Sequence, residues 1–559
     1  VRERDSNYLR ARAAGKGILP AVLRKRDILI FMQCRNCNNE FTIYPEDQEF
    51  YRKIEVPEPT WCPDCRQQRR LSWRNLVNLY KRKCDLSGKE IISIYSPEKP
   101  YKVYDQSVWW SDDWEPRDFG QDYDFNRPFF EQFRELQLKV PRFSVYSKSG
   151  VNSDYTNNSD RNKNCYLSFN IAYCEDCYYC TNYILKNKDC VDCYNLRDSE
   201  LLYQCFMARE CFNSKYLMHS RNCYDSAFLY DCHGCNDCFM CWNLRSAKYH
   251  IYNKEYSKEN YKKELEKLYP KTYEEWQEKQ KEFLDKIKNE AIHKYARIEK
   301  SNVSSGNLIE NCQNVKDTYM AFDSVECRHC YDIGELKDSY DSYEPLGGEL
   351  QYNCHGCNWG HKVICCSSCS RNQNLYYSEL CFDTKNLFGC ISLNKHQEFC
   401  ILNKQYTEEE YNKLLPKVIK HMKETGEWGQ FFPMAMSPFA YNETVAQEFY
   451  PLSKEEVGAR GLSWREEDEV AADQETSICV DCKKNFKVVP QEKKMYQQMN
   501  LPEPKKCWKC RYFDRLKLRD ARQMWERKCG NCDKMVMSIY SPDRPEKVYC
   551  EECYQKKIY

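Results

Sequence analysis

DCHGCNDCFMC, residues 231–241, sets Cys232, Cys235, Cys238 and Cys241 at equal spacing among small turn formers. The same grammar runs upstream: NCYLS from Asn164, DCYYC from Asp176, DCVDCYN from Asp189, ECFNS from Glu210 and NCYDS from Asn222. A small polar residue tends to precede each cysteine and an aromatic usually follows. The motifs recur irregularly, about every 12–18 residues, with no helical period. Asn, Asp and Ser favour turns, whereas Tyr, Phe, Cys and Val favour strands. Short strands and turns with stacked like residues predict a parallel β-solenoid-like array over 161–250. Tandem zinc knuckles are the alternative. The cysteines read as an inward ladder, as sites for a thiophilic metal between rungs, or as iron–sulfur ligands. For the last, the usual fourth spacing and its following proline are absent. His233, His355 and His361 stand among the cysteines as candidate ligands.

A second array of the same composition occupies 301–400. Each array leads into a matching string, KYHIYNKEYSKENYKKELEKL from Lys248 and EFCILNKQYTEEEYNKLLPKV from Glu398. Ser257 and Thr407 are expected helix N-caps, since a hydroxyl there accepts an orphan backbone N–H. The helix after Ser257 is expected to run to about Arg297, with Tyr261, Leu265, Leu268, Trp276 and Phe283 as a thin apolar stripe.

The chain ends carry a second duplication. CRNCNNEF…PTWCPDCR…KRKC…SIYSPEKPYKVY from Cys34 aligns without a gap to CVDCKKNF…PKKCWKCR…ERKC…SIYSPDRPEKVYCEEC from Cys479, at a constant offset of 445 residues. Cys34, Cys37, Cys62 and Cys65 form two Cys-x2-Cys pairs, which can place four thiolates around one zinc ion. Cys479, Cys482, Cys507 and Cys510 repeat the set. Cys529, Cys532, Cys550 and Cys553 add a third, whose N-terminal counterpart keeps only Cys84, beside Ser87, Asp105 and Val108. Three structural Zn2+ ions follow, with further metal in the central arrays left open. Between the first two pairs, FTIYPEDQEFYRKIEVPEP is expected to form a hairpin and a Pro-rich turn; a helix follows Cys65. This is a treble clef, with a zinc ribbon as the close alternative.

Basic residues follow the second knuckles. Arg66, Arg69, Arg70 and Arg74 lie near Trp73 and Tyr80; Arg511, Arg515 and Arg519 lie near Trp508, Tyr512 and Trp525. Cations for phosphates and rings for stacking suit a nucleic-acid surface, RNA above all. A solvated basic face is the plainer reading.

Composition frames these motifs. The 559 residues include 37 Cys and 44 Tyr, with a net charge of +1, so any nucleic-acid surface must be local. Only 18 residues are Gly, which disfavours a Gly-rich nucleotide site. Mean hydropathy is −0.86, and no run approaches a membrane span. No signal peptide is evident, so a cytoplasmic chain with reduced thiols is expected.

The strings CRNCNNEFTIYPEDQEFY, PTWCPDCRQQRR, IYSPEKPYKVY and NKEYSKENY, with the Cys/Tyr arrays, resemble uncharacterised cysteine-rich zinc-ribbon or treble-clef proteins of small-genome uncultivated bacteria. The resemblance runs from Met32 onward and implies zinc binding. Some members carry a label of carnitine/bile-acid-type CoA-transferase, which these residues do not support: there is no two-layered α/β pattern and no Gly-rich CoA site. The chain departs from the family pattern at Ser87, Asp105 and Val108.

The sequence therefore predicts a multi-domain, mainly β protein with small α+β zinc modules. Its parts are a basic disordered tail over 1–31, ahead of a start at Met32; a zinc module over 32–113; and a connector over 114–160. Then come the array over 161–250, a charged helix over 251–300, the array over 301–400 and a helix over 401–425. A partly ordered linker over 426–475 leads to the zinc module over 476–559. The expected function is non-enzymatic zinc and nucleic-acid binding. The alternatives are a structural or protein-interaction scaffold and, behind it, an iron–sulfur or redox protein. No Ser/His/Asp set, phosphate loop or His-Glu-x2-His motif identifies a catalytic site, and no small-molecule substrate is identified.

Overall fold

A computed structural model describes residues 29–468 and 476–559. The basic tail over 1–28 and the acidic residues 469–475 lie outside the described residues. The chain divides into two compact units, one ending at Cys65 and one beginning at Arg66. Among the described residues no helix is long and apolar enough to cross a membrane.

The smaller unit is the first knuckle region. Ile30–Gln33 and Glu40–Ile43 form an antiparallel hairpin that brackets Cys34 and Cys37. Beyond it, the stretch expected as a hairpin is instead the helix Pro45–Lys53, with proline in its first turn and Phe50 and Tyr51 buried. Proline there loses no hydrogen bond and presets the helical φ.

The larger unit is built on two stacks of parallel strands, residues 147–255 and 298–405. Within each, a strand pairs in parallel with the residues about twelve further on: Leu217 faces Leu229, which faces Cys241, and Tyr340 faces Tyr352, which faces Ile364. The backbone explains this step. From Lys186 to Tyr252 every third residue has a left-handed φ, and the same holds from Leu308 to Lys395. Four such corners return the chain to register.

Each triplet assigns its residues distinct tasks. The first takes the left-handed corner, which Asn and Asp tolerate better than most residues and Gly234 and Gly356 take without penalty. Corner amides bond the corner above: Asn164 Nδ2 donates to Asp176 at 3.2 Å, and Asn213 to Asp225 at 2.7 Å. The second residue points inward. Only small or compact side chains fit, so Cys, Ser, Leu and Ala fill the first stack's interior. The third points outward, where rings stack on the next turn: Tyr194 lies 4.9 Å from Phe206, the ring planes nearly parallel. The spacing that looked irregular from cysteines alone is thus a regular three-residue period with Ser, Leu or Ala in the intervening inward places.

Helices close the far end of each stack. Ser257 Oγ accepts the Asn260 N–H ahead of the helix Lys258–Leu268. Thr407 and Glu410 form a reciprocal cap ahead of Glu408–Glu424. The charged helix expected to reach Arg297 breaks at Pro270 and restarts after Thr272 as Tyr273–Glu290. Residues 426–468, expected as part of a linker, are a packed strap with Trp428, Phe431, Phe432 and Tyr441 buried.

The duplication at the chain ends recurs in space. Val103–Tyr104 adds in parallel to Arg142–Phe143, just ahead of the first stack. Its counterpart, Lys547–Tyr549, adds in parallel to Ile292–Lys294, just ahead of the second.

Candidate metal centres

Twelve cysteines gather into three sets: Cys34, Cys37, Cys62 and Cys65; Cys479, Cys482, Cys507 and Cys510; and Cys529, Cys532, Cys550 and Cys553. Within each set all four sulfurs lie within 4.8 Å of one another. Cys37 Sγ stands 3.7 Å from Cys62 Sγ, and the equivalent pairs Cys482–Cys507 and Cys532–Cys550 stand at 3.8 Å. A tetrahedron with Zn–S bonds of about 2.3 Å has edges of roughly 3.8 Å, so the donor sets fit zinc.

Local structure prepares these sulfurs for negative charge. Cys34 Sγ accepts backbone N–H groups from Asn36 at 3.4 Å and Cys62 at 3.2 Å. Cys479 accepts from Cys507, and Cys529 from Cys550, both at 3.3 Å. Burial raises these three thiols, but the backbone donors outweigh it and bring each down to about 6. Asn36 Nδ2 also donates to Cys65 Sγ, and Asn531 Nδ2 to Cys553 Sγ, each at 3.3 Å. Four thiolates close the shell, leaving no position for a substrate water, so the ions staple the fold.

The fourth position of the duplication holds no such set. Cys84 Sγ accepts N–H groups from Ser87 at 3.4 Å and Asp105 at 3.2 Å, as a ligand sulfur would, but among the described residues it joins no metal-ligand set. Packing replaces the metal: Cys84 belongs to an apolar cluster with Tyr95, Val103 and Trp109, against which Trp110 and Trp114 pack.

The stack cysteines behave differently. Cys232, Cys235, Cys238 and Cys241 point inward from four successive sides of one turn, and each thiol donates to the carbonyl two residues earlier. Among the described residues they join no four-sulfur set. Burial pushes Cys180 and Cys193 well above the ordinary thiol range, so they stay protonated. His233, His355 and His361 join no metal set either: His233 Nδ1 accepts from Arg221, His355 Nδ1 meets Ser367 Oγ, and His361 is exposed beside Glu349.

The arginines expected to meet phosphate lie elsewhere. Arg66, Arg69 and Arg70 are buried, as are Arg511 and Arg515. Arg66 and Arg70 reach Asp341 at 2.9 and 3.5 Å, and Arg70 also donates to Asn353 at 2.8 Å. Arg511 and Arg515 grip Asp192 at 2.8 and 2.7 Å. Arg69 donates to Gln430, Arg74 pairs with Glu344, and Arg519 pairs with Glu448. These side chains are engaged within the fold. Sequence reading missed their counter-ions, because Asp192 lies 323 residues from Arg515.

The knuckle hairpin, the intervening helix and the second knuckle opening a further helix define a cysteine-rich, zinc-binding protein with a treble clef. Residues 30–73 match the family model described as "Probable treble clef domain". No curated protein and no solved structure matches the chain.

Proposed function

We propose that the chain is a non-enzymatic scaffold: it carries two cysteine-filled β-solenoids and three zinc staples, and the outer faces of the solenoids receive a protein partner. The observation that carries this reading is the engagement of the arginines. Six of the arginines expected at phosphate pair instead with Asp192, Asp341, Glu344 and Glu448, which favours a partner met through other side chains.

Two features support it. The zinc shells have only cysteine donors, so they favour structure over hydrolysis. The first stack also shows rings at its surface: Phe212 and Tyr224, twelve residues apart and bridged in parallel, are 40% and 41% exposed. Aromatic residues are enriched where proteins meet.

Crosslinking pull-down with the full chain, with and without nuclease, tests the reading. A protein retained equally after nuclease, and lost on Phe212→Ser with Tyr224→Ser, supports it. Retention that disappears with nuclease returns the chain to the nucleic-acid reading.

A further inference from the structure

The two halves of the larger unit differ at one equivalent buried point. In one, Arg142 holds Glu379 through two contacts of 2.8 and 2.7 Å and donates to the Tyr95 hydroxyl at 3.3 Å. In the other, His293 takes the place of Arg142: Arg142 pairs with Val103, and His293 with Val548, 445 residues beyond it. Tyr540 likewise replaces Tyr95. Tyr230, one residue before the corner at Asp231, replaces Glu379, one residue before the corner at Leu380. The direct ion pair has become a set of neutral rings, with Arg297 donating to the Tyr230 hydroxyl at 3.2 Å.

The hydrogen bonds fix its protonation. His293 Nε2 lies 2.8 Å from the Ile287 carbonyl, which can only accept, so Nε2 carries the proton. Nδ1 then accepts from the Tyr230 and Tyr540 hydroxyls at 2.8 and 3.0 Å. Burial lowers His293 to about 4, consistent with a neutral ring.

This set borders a cavity of about 470 Å³, whereas the cavity beside Tyr95 and Glu379 is about 80 Å³. The larger one lies within the usual small-molecule range of roughly 300–1,000 Å³. His219 lines it with its side chain 5% exposed. Among the described residues its imidazole has no hydrogen-bond partner, and Nε2 stands 4.0 Å from Asp520 Oδ1. Leu284, Leu518 and Pro545 supply apolar wall.

The lining carries four cations against three acids. Lys288, Lys517, Arg519 and Arg544 line the cavity, against Asp520, Asp543 and Glu546. Arg544 is tied to Glu546 and Arg519 to Glu448, whereas Lys517 is 75% exposed and meets Asp514 only at the surface, where such a pair is worth little. Lys288 has no ion pair among the described residues and is exposed.

We propose that this cavity binds a small organic anion, a carboxylate or phosphate ester. Lys288 and Lys517 hold its acidic group at the mouth, its body lies against Tyr540, Leu284 and Leu518, and His219 offers the innermost polar contact. The 80 Å³ counterpart, with its ion pair intact, has no room for such a ligand. One site per chain follows.

Calorimetric titration of the full, zinc-loaded chain tests this with phenyl phosphate, benzoate, inorganic phosphate and neutral benzyl alcohol. The expected result is one phenyl phosphate or benzoate per chain, with inorganic phosphate and benzyl alcohol each at least about tenfold weaker. Lys288→Glu with Lys517→Glu should weaken the organic anions about tenfold or more, since an electrostatic mouth is inverted. His219→Phe should weaken them with zinc content and melting temperature retained. The proposal is overturned by no binding to the folded chain, by two equivalents, by benzyl alcohol binding as well as the anions, or by indifference to the lysine variants.

Discussion

Arg511 lies 445 residues beyond Arg66, and each grips an aspartate at a left-handed corner of a stack: Asp192 for Arg511 and Asp341 for Arg66. One turn further along each helix, Arg515 and Arg70 reach the same two aspartates. The crossing is reciprocal. The helix Trp508–Leu516 engages the first stack, and the arginines after Cys65 engage the second.

Asp192→Asn should leave Arg515 buried without its carboxylate and Arg511 with Glu492 alone, 3.0 Å away. Removing one partner from such a group costs about 3–5 kcal/mol. Replacing the whole set, Asp192→Leu and Glu492→Leu with Arg511→Met and Arg515→Met, should cost much less, because the desolvation of all four ionisable groups is removed together, Glu492 being the second partner of Arg511 at 3.0 Å. Denaturation midpoints of the two variants decide it; equal losses would show that the arginines act by packing alone.

Metal analysis of the full chain should return three zinc ions. Cys529→Ser should remove one. Ser87→Cys, Asp105→Cys and Val108→Cys together should add one, because Cys84 already accepts N–H groups as a ligand sulfur does. A triple variant that still holds three would mean that the lost site differs in backbone as well as in side chains.

The stack thiols should resist 5,5′-dithiobis(2-nitrobenzoate) in the folded chain and react fully after denaturation. Cys205 is fully buried, donates to the Tyr203 carbonyl at 3.5 Å and accepts the Leu217 N–H at 3.5 Å. Cys205→Ser keeps both roles, as Ser220 does for the Met218 carbonyl and the Cys232 N–H. Cys205→Ala strands that N–H, at a cost of about 1–3 kcal/mol. Thermal melts should therefore rank serine above alanine.

Acid should destabilise the chain before most carboxylates titrate. Burial holds His293 at about 4 in the fold, against about 6.5 in an unfolded chain. Between those values the unfolded chain takes up a proton that the folded chain refuses, so stability is full above pH 6.5 and falls as pH falls. One such group contributes on the order of 3 kcal/mol across the window. His219, His329 and His355, also depressed by burial, add in the same sense. Melting temperatures at pH 7.5, 6 and 5, with zinc content followed, check this; a flat profile would contradict it.

Local features were legible in the sequence and distant ones were not. The twelve zinc-site cysteines follow from their spacing, and the caps at Ser257 and Thr407 from a hydroxyl ahead of an amphipathic run. The three-residue period of the stacks was hidden because the inward place alternates among Cys211, Ser214, Leu217 and Ser220, so cysteine alone gives a broken rhythm. Reading in threes, with Asn or Asp at the corner, would have exposed it. The arginines looked like a solvated or phosphate-binding face because nothing near them in sequence names Asp192 or Asp341. Pro270 did announce a helix break, and the charged pattern on either side masked it.

The reciprocal crossing also orders events during synthesis. When the first stack leaves the ribosome its corner at Asp192 has no counter-ion, since Arg515 follows 323 residues later. Contacts of such sequence separation are slow to form, because loop closure precedes any gain. Each stack can grow turn by turn from contacts twelve residues apart, and each four-cysteine knuckle can close on zinc locally. Docking of the helix Trp508–Leu516, which starts at the zinc-site residue Cys507, onto a preformed stack then comes late. A nascent chain halted before Cys507 would present an unpaired acidic seam, open to any basic segment that reached it first.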